Sequence, residues 1–164
     1  MRTIVVIVLL FLSTICWAAE KAPASALCMG IDQQLPDKNL YDTIIHALYQ
    51  QMPKKEKIAE PIVITKIDKH MAKDNWHVVW ASPVNMERGI FLLRGDAKNI
   101  EYVAVWGGVA FPEEESSVLQ WFKDQAPTAP ISLLKCVAHE ITHVLKSREN
   151  KSVPKRSGGR ALNY

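Results

Sequence analysis

Four short apolar runs in the middle of the chain constrain its fold more than any other feature. Residues 62–67, 76–80, 90–93 and 100–106 are rich in β-branched and aromatic side chains, which favour strands. Turn-forming residues, such as the Arg-Gly-Asp sequence at 94–96, separate the runs. Because parallel neighbours would need long crossover connections, these short gaps predict an antiparallel four-stranded meander.

A helix is predicted before the strands. Asp37 or Asn39 can cap its start, and Pro53 is expected to end it. Apolar side chains recur at helical spacing on one face, at Leu40, Ile44, Leu48 and Met52.

Two further helices are predicted after the strands, over about residues 113–124 and 131–148. The acidic run at 113–115 suits the positive N-terminal end of a helix dipole. The order of helix, four strands and two helices predicts a single α+β domain over residues 37–148, with the two C-terminal helices packed on one face of the sheet.

The aromatic side chains of the strands predict where the core lies. Trp121, on the first C-terminal helix, is expected to cover tryptophans of the sheet, and we interpret these rings as core rather than as a stacking surface for sugars or bases. His77 alternates with the tryptophans and is therefore expected to face solvent. Two sets of strand residues are each predicted to share a face, namely Trp76, Val78 and Trp80, and Tyr102, Ala104 and Trp106.

The N-terminus has the order of a secretory signal peptide. A positive charge at Arg2 precedes an apolar run over residues 4–12, and small residues at 16 and 18 predict cleavage after Ala18, with Ala19 as the second choice. The apolar run is too short to span a membrane. Residues 1–18 are thus predicted as a signal peptide and 19–36 as an extended arm, and the protein is expected to be periplasmic or secreted.

The charge distribution limits the partners of the chain. A formal net charge of +3 is too small to indicate nucleic acid or a membrane surface as a partner. Lysines and arginines are concentrated near the C-terminus, and residues 149–164 are predicted to form a flexible basic tail.

The cysteines predict one disulfide. Cys16 is removed with the signal, which leaves Cys28 and Cys136. Two cysteines in an exported chain most simply pair with each other, and the alternative is two separate thiols.

One five-residue motif predicts chemistry. His139, Glu140 and His143 form an H-E-x-x-H sequence, which on a helix lets both imidazoles reach one zinc ion. Residues 137–143 resemble the active-site helix of thermolysin-like zinc proteases, and this resemblance implies zinc bound by His139 and His143, with Glu140 as the general base.

A third zinc ligand is not evident near the motif. The resemblance places a glutamate well beyond the second histidine, but position 163 is Asn163, and Glu149 is the only acidic residue after His143. Three histidines remain as upstream candidates: His46, His70 and His77.

The same helix has a second interpretation. Lys135 and Lys146 lie close to the two histidines along the helix, and the apolar stripe leaves both histidines nearer the polar side. An amphipathic helix with two surface histidines and no metal is the favoured interpretation of the motif, ahead of a structural metal site or a catalytic zinc site.

Since the catalytic set is incomplete, we expect a small exported protein without a cofactor that binds a protein partner, as immunity proteins, enzyme inhibitors or envelope accessory proteins do. The expected partner surface is the solvent side of the sheet, the 82–89 connection or the basic tail. The alternative is a zinc-dependent metallohydrolase or peptidase that uses residues 139–143.

Overall fold

A computed structural model describes residues 24–59, 62–84, 87–108 and 110–144. The predicted signal peptide and basic tail lie outside the described residues. In the described part of the chain, no helix has the length and apolar character needed to cross a membrane.

The four strands form one sheet, as predicted. They are β1 (Ile64–Lys73), β2 (Trp76–Pro83), β3 (Gly89–Asp96) and β4 (Asn99–Gly107), in the order β1-β2-β3-β4. Every neighbouring pair is antiparallel. The antiparallel meander is therefore confirmed.

Helices precede and follow the sheet, which confirms the α+β fold. The segment predicted as an extended arm contains a one-turn helix, and the last predicted helix changes to π-helical hydrogen bonding after its ninth residue. The elements are α1 (Ala24–Leu27), α2 (Lys38–Lys55), a 3₁₀ turn (Pro112–Glu114), α3 (Glu115–Gln125), α4 (Ile131–His139) and a π-helical segment (Glu140–Val144).

The boundaries of α2 follow from its sequence. The Leu40 amide donates to the Asp37 side chain, so Asp37 is the N-cap. Pro53 was expected to end the helix, but the helix continues to Lys55. Proline is tolerated there because the last turn loses only one backbone hydrogen bond.

Helices cover both faces of the sheet. α3 and α4 pack on one face, as predicted, and the largest side chains of this core include Trp76, Trp80, Phe122 and Leu134. α2 packs on the other face, where the core includes Ile44, Leu48, Phe91 and Tyr102. The prediction of a solvent-exposed sheet face as a partner surface is therefore wrong.

The tryptophans form core, as expected. The Trp106 and Trp121 rings meet edge to face with centroids 5.2 Å apart. The prediction that Tyr102 shares a face with Trp106 is wrong, because an irregularity in the β3–β4 register intervenes and Tyr102 packs on the α2 side. A β-bulge adds one residue and reverses the alternation of side chains beyond it.

His77 was expected to face solvent, and this prediction is also wrong. Only 7% of its surface is exposed. β2 is a central strand of a sheet covered on both sides, so both of its faces are buried.

The predicted disulfide is present between Cys28 and Cys136, 108 residues apart. It joins the segment after α1 to α4 and lies within the core on the α3–α4 side.

Replacing both cysteines with serine should lower the free energy of unfolding by about 4 kcal/mol, because the bond restricts the unfolded chain over a long loop. Urea unfolding of the oxidised protein and of the Cys28→Ser/Cys136→Ser variant measures this difference. A loss below about 1 kcal/mol would contradict a stabilising role for the bond.

Candidate metal site

The two histidines of the motif lie side by side. His139 is the last residue of α4, and His143 lies in the π-helical segment. Their rings are nearly parallel, at 17°, with centroids 4.2 Å apart. π-helical turns are rare and frequently occur at functional sites. The change in helical hydrogen bonding thus coincides with the histidine pair.

Glu115 completes a group of three metal-ligating side chains. Its Oε2 lies 3.4 Å from His139 Nδ1 and 3.3 Å from His143 Nδ1. One possible ligand atom from each residue lies within 4.8 Å of the others. Two ligands of a tetrahedral zinc are about 3.4 Å apart when each bond is roughly 2.1 Å long. The spacing to the carboxylate therefore suits zinc coordination.

The position of Glu115 follows from the entry into α3. The Glu114 carboxylate accepts a hydrogen bond of 2.7 Å from the Phe111 amide, which fixes the turn before the helix. Glu115 then begins α3, and the packing of α3 on α4 places it beside the histidines.

Sequence reasoning missed this ligand. The run of three glutamates is its only signal in the sequence, and such a run equally suits the positive end of a helix dipole. The upstream candidates do not join the group: His46 is exposed on α2, and His70 and His77 are buried together elsewhere.

The two histidines are less exposed than expected, since the sequence predicted that both would lie at the surface on a polar helix face. His139 is buried, with 7% of its surface exposed, and His143 and Glu115 are half-buried. Lys135 is exposed, and Lys146 lies outside the described residues. The buried imidazole and nearby carboxylate form a local environment that favours a cation.

Thr142 supports the ring of His143. The buried Thr142 hydroxyl donates to Ala138 O at 2.9 Å, and its oxygen lies 2.8 Å from His143 Nδ1. Without a metal, a hydrogen on His143 Nδ1 can be donated to the Thr142 oxygen. A metal bound through Nδ1 would replace that hydrogen, because a ligating imidazole nitrogen carries none.

Glu140 is directed elsewhere. Its Oε2 accepts a hydrogen bond of 2.5 Å from Lys69 Nζ on β1, and their side chains are 14% and 22% exposed. The same ammonium group lies 5.5 Å from the centre of the Trp80 ring. Among the described residues, the metal-ligating group contains no atom of Glu140. The residue predicted as the general base therefore bridges the π-helical segment to the sheet.

Comparison with known protein families, with curated proteins and with solved structures finds no match to this chain.

Lys69→Met should lower the free energy of unfolding by about 2 kcal/mol, because it leaves the Glu140 carboxylate partly buried without its cation. Lys66→Met is the matched control on the same strand, since the Lys66 side chain is 73% exposed, and its effect should stay within about 0.5 kcal/mol. Urea unfolding measures both changes, and equal effects would contradict a structural role for the Lys69–Glu140 pair.

Proposed function

We propose that this chain is a metal-binding protein whose Glu115, His139 and His143 side chains hold one zinc ion. The observation that carries the proposal is the convergence of two imidazoles and one carboxylate from separate helical elements. Nitrogen and oxygen donors in this combination suit zinc among the common biological cations, whereas calcium and magnesium prefer oxygen ligands alone.

Such a metal would have a structural effect as well as a chemical one. Glu115 begins α3, whereas His139 and His143 lie at the end of α4 and beyond it. One ion bound to all three side chains would link the two C-terminal helices at the end opposite their connecting loop. We propose this linking role, without catalysis, because Glu140 is paired with Lys69.

The wild-type protein should bind about one zinc ion per chain. Substitution of a residue that only supports a metal ligand typically weakens metal binding by roughly 10- to 100-fold. Glu115→Gln and His143→Ala each remove a ligand itself, so each should weaken zinc binding by more than that. Glu113→Gln is the matched control, since Glu113 is exposed and lies two residues away. Metal analysis and zinc titration calorimetry measure the stoichiometry and the affinity.

Absence of zinc binding by the wild-type protein, or an equal loss in Glu113→Gln, would overturn the proposed site.

A zinc hydrolase is the second candidate, favoured by the composition of the site. Two histidines and one glutamate leave the fourth position of zinc for water, as in catalytic sites. This role requires Glu140 to leave Lys69 and act on that water. The test measures hydrolysis of an unfolded protein substrate by the same zinc-loaded preparations. Hydrolysis by the wild-type protein that disappears in Glu140→Gln would establish the hydrolase. No hydrolysis by the wild-type protein supports the non-catalytic role.

We also propose that the chain is exported to the periplasm or beyond the cell. The charged, apolar and small-residue order of its N-terminus supports export, and so does the Cys28–Cys136 bond, because disulfides persist in oxidising compartments.

We propose that the chain binds a protein partner in that compartment, through the groove between α2 and β1. Tyr41, Ile45 and Tyr49 line it on α2 and Val63 lines it before β1, and Tyr49 and Val63 are 43% and 55% exposed. Exposed apolar side chains that adjoin one another are typical of interaction sites.

The double variant Tyr49→Ser/Val63→Ser should lose a partner that the wild-type protein retains from periplasmic extract, with its zinc content unchanged. Retention of the same partner by the variant would exclude this groove as the binding surface.

A further inference from the structure

A second histidine pair lies away from the metal site. His70 on β1 and His77 on β2 are 2% and 7% exposed. His70 Nε2 and His77 Nδ1 are 3.1 Å apart, and the ring planes differ by 14°. The centroid separation of 5.4 Å is close to this nitrogen–nitrogen distance plus the two ring radii. The two nitrogens therefore face each other almost head-on.

The outer nitrogens of the pair fix where its hydrogens lie. His70 Nδ1 is 2.7 Å from Gln34 O, and His77 Nε2 is 3.1 Å from Gly95 O. A carbonyl oxygen only accepts, so each outer nitrogen must carry a hydrogen and donate it. A neutral imidazole has one N–H, which leaves both inner nitrogens without a hydrogen if both rings are neutral.

Two lone pairs facing each other at 3.1 Å repel, whereas one additional proton between them makes a hydrogen bond. We propose that His70 and His77 bind one extra proton, held between His70 Nε2 and His77 Nδ1, and release it as the pH rises. The protonated pair makes three hydrogen bonds in series, from Gln34 O through both rings to Gly95 O. We name this arrangement the histidine clasp.

The head-on geometry selects a proton rather than a metal ion. Zinc–nitrogen bonds are about 2.0 to 2.1 Å long, so an ion between facing nitrogens needs roughly 4 Å. The observed 3.1 Å is too short for that but suits an N–H···N hydrogen bond. Among the described residues, no third metal-ligating side chain joins this pair.

Burial, together with the charge of a first proton, limits the clasp to one extra proton. Burial is the main cause that lowers the pKa of His77; the hydrogen bond to Gly95 O opposes it, a charge on His70 lowers the pKa further, and Asp32 raises it. A second proton, on His77, is therefore disfavoured in the folded protein. Lys73 and Asp74 carry the other charges that line the opening beside the pair.

The clasp connects three parts of the fold. Gln34 lies between α1 and α2, the rings lie on β1 and β2, and Gly95 lies near the end of β3. Next to the clasp, the backbones of Asp32 and Ala72 form two reciprocal hydrogen bonds, of 2.8 and 2.9 Å. Loss of the proton leaves the inner nitrogens unbonded, so the segment around Gln34 should detach more often from β1 at high pH.

At low pH, the stability of the folded protein changes with pH in the opposite direction. Because the pKa of His77 is lowered in the folded protein, its contribution to stability is complete above the pKa of an unfolded histidine and is lost as the pH falls through the lowered value. A second proton leaves no acceptor between the two inner nitrogens and breaks the clasp. The histidine clasp is therefore complete over an intermediate pH range.

Nuclear magnetic resonance of the ¹⁵N-labelled, oxidised protein tests the proposal directly. Near pH 6, a scalar coupling across the hydrogen bond should join His70 Nε2 to His77 Nδ1, and it should disappear by about pH 8.5, since unperturbed histidine titrates near 6.5. Hydrogen exchange with solvent gives the second measurement. After correction for the intrinsic pH dependence of amide exchange, the Asp32 and Ala72 amides should exchange about tenfold faster at the higher pH, as expected for loss of one buried hydrogen bond.

His77→Leu should abolish this pH dependence of exchange, and His46→Gln, an exposed histidine on α2, should leave it unchanged. If the wild-type protein shows no coupling at any pH between about 5 and 8.5 while both outer N–H groups are present, the proposal is overturned. The same follows if zinc shifts the His70 and His77 resonances in the Glu115→Gln/His143→Ala variant, because a metal would then be the ligand.

Discussion

The burial of the sheet on both faces is the constraint on which the rest of the structure depends. β2 lies between neighbours on both sides and between helices above and below, so its residues contribute to two cores. Apolar burial of this extent is the main source of folding free energy. It also removes water from His77 and from the neighbourhood of Lys69, and both side chains have polar partners: His77 contacts His70 and Gly95 O, and Lys69 contacts Glu140.

Both histidine pairs depend on this arrangement in different ways. The pair in the C-terminal helices meets a carboxylate, which allows it to hold a cation, whereas the pair in the sheet meets two backbone carbonyls, which force a hydrogen onto each outer nitrogen. The same side chain thus has different surroundings at two sites of one small domain. The groups facing each imidazole decide whether a metal ion or a proton suits it.

Strand runs and helical spacing predicted the α+β order and the meander, because these features depend on local sequence pattern. The disulfide partners were predictable because only two candidate cysteines remain after the signal peptide. The positions of Tyr102 and His77 were not predictable in the same way, since one depends on a bulge and the other on helices covering both faces. Glu115 was missed because it approaches His139 only through the packing of α3 on α4. The H-E-x-x-H spacing accounts for the neighbouring rings of His139 and His143, but it contains no information on Lys69, which pairs with Glu140.

The separation of Cys28 and Cys136 has a consequence for the order of synthesis. A ribosome completes all four strands and α3 before it reaches the second cysteine. The Cys28–Cys136 bond therefore cannot guide any pairing of the strands that occurs before residue 136 is made. The register of the sheet is therefore encoded in its own turns and side chains, and the disulfide adds a link between the segment after α1 and α4.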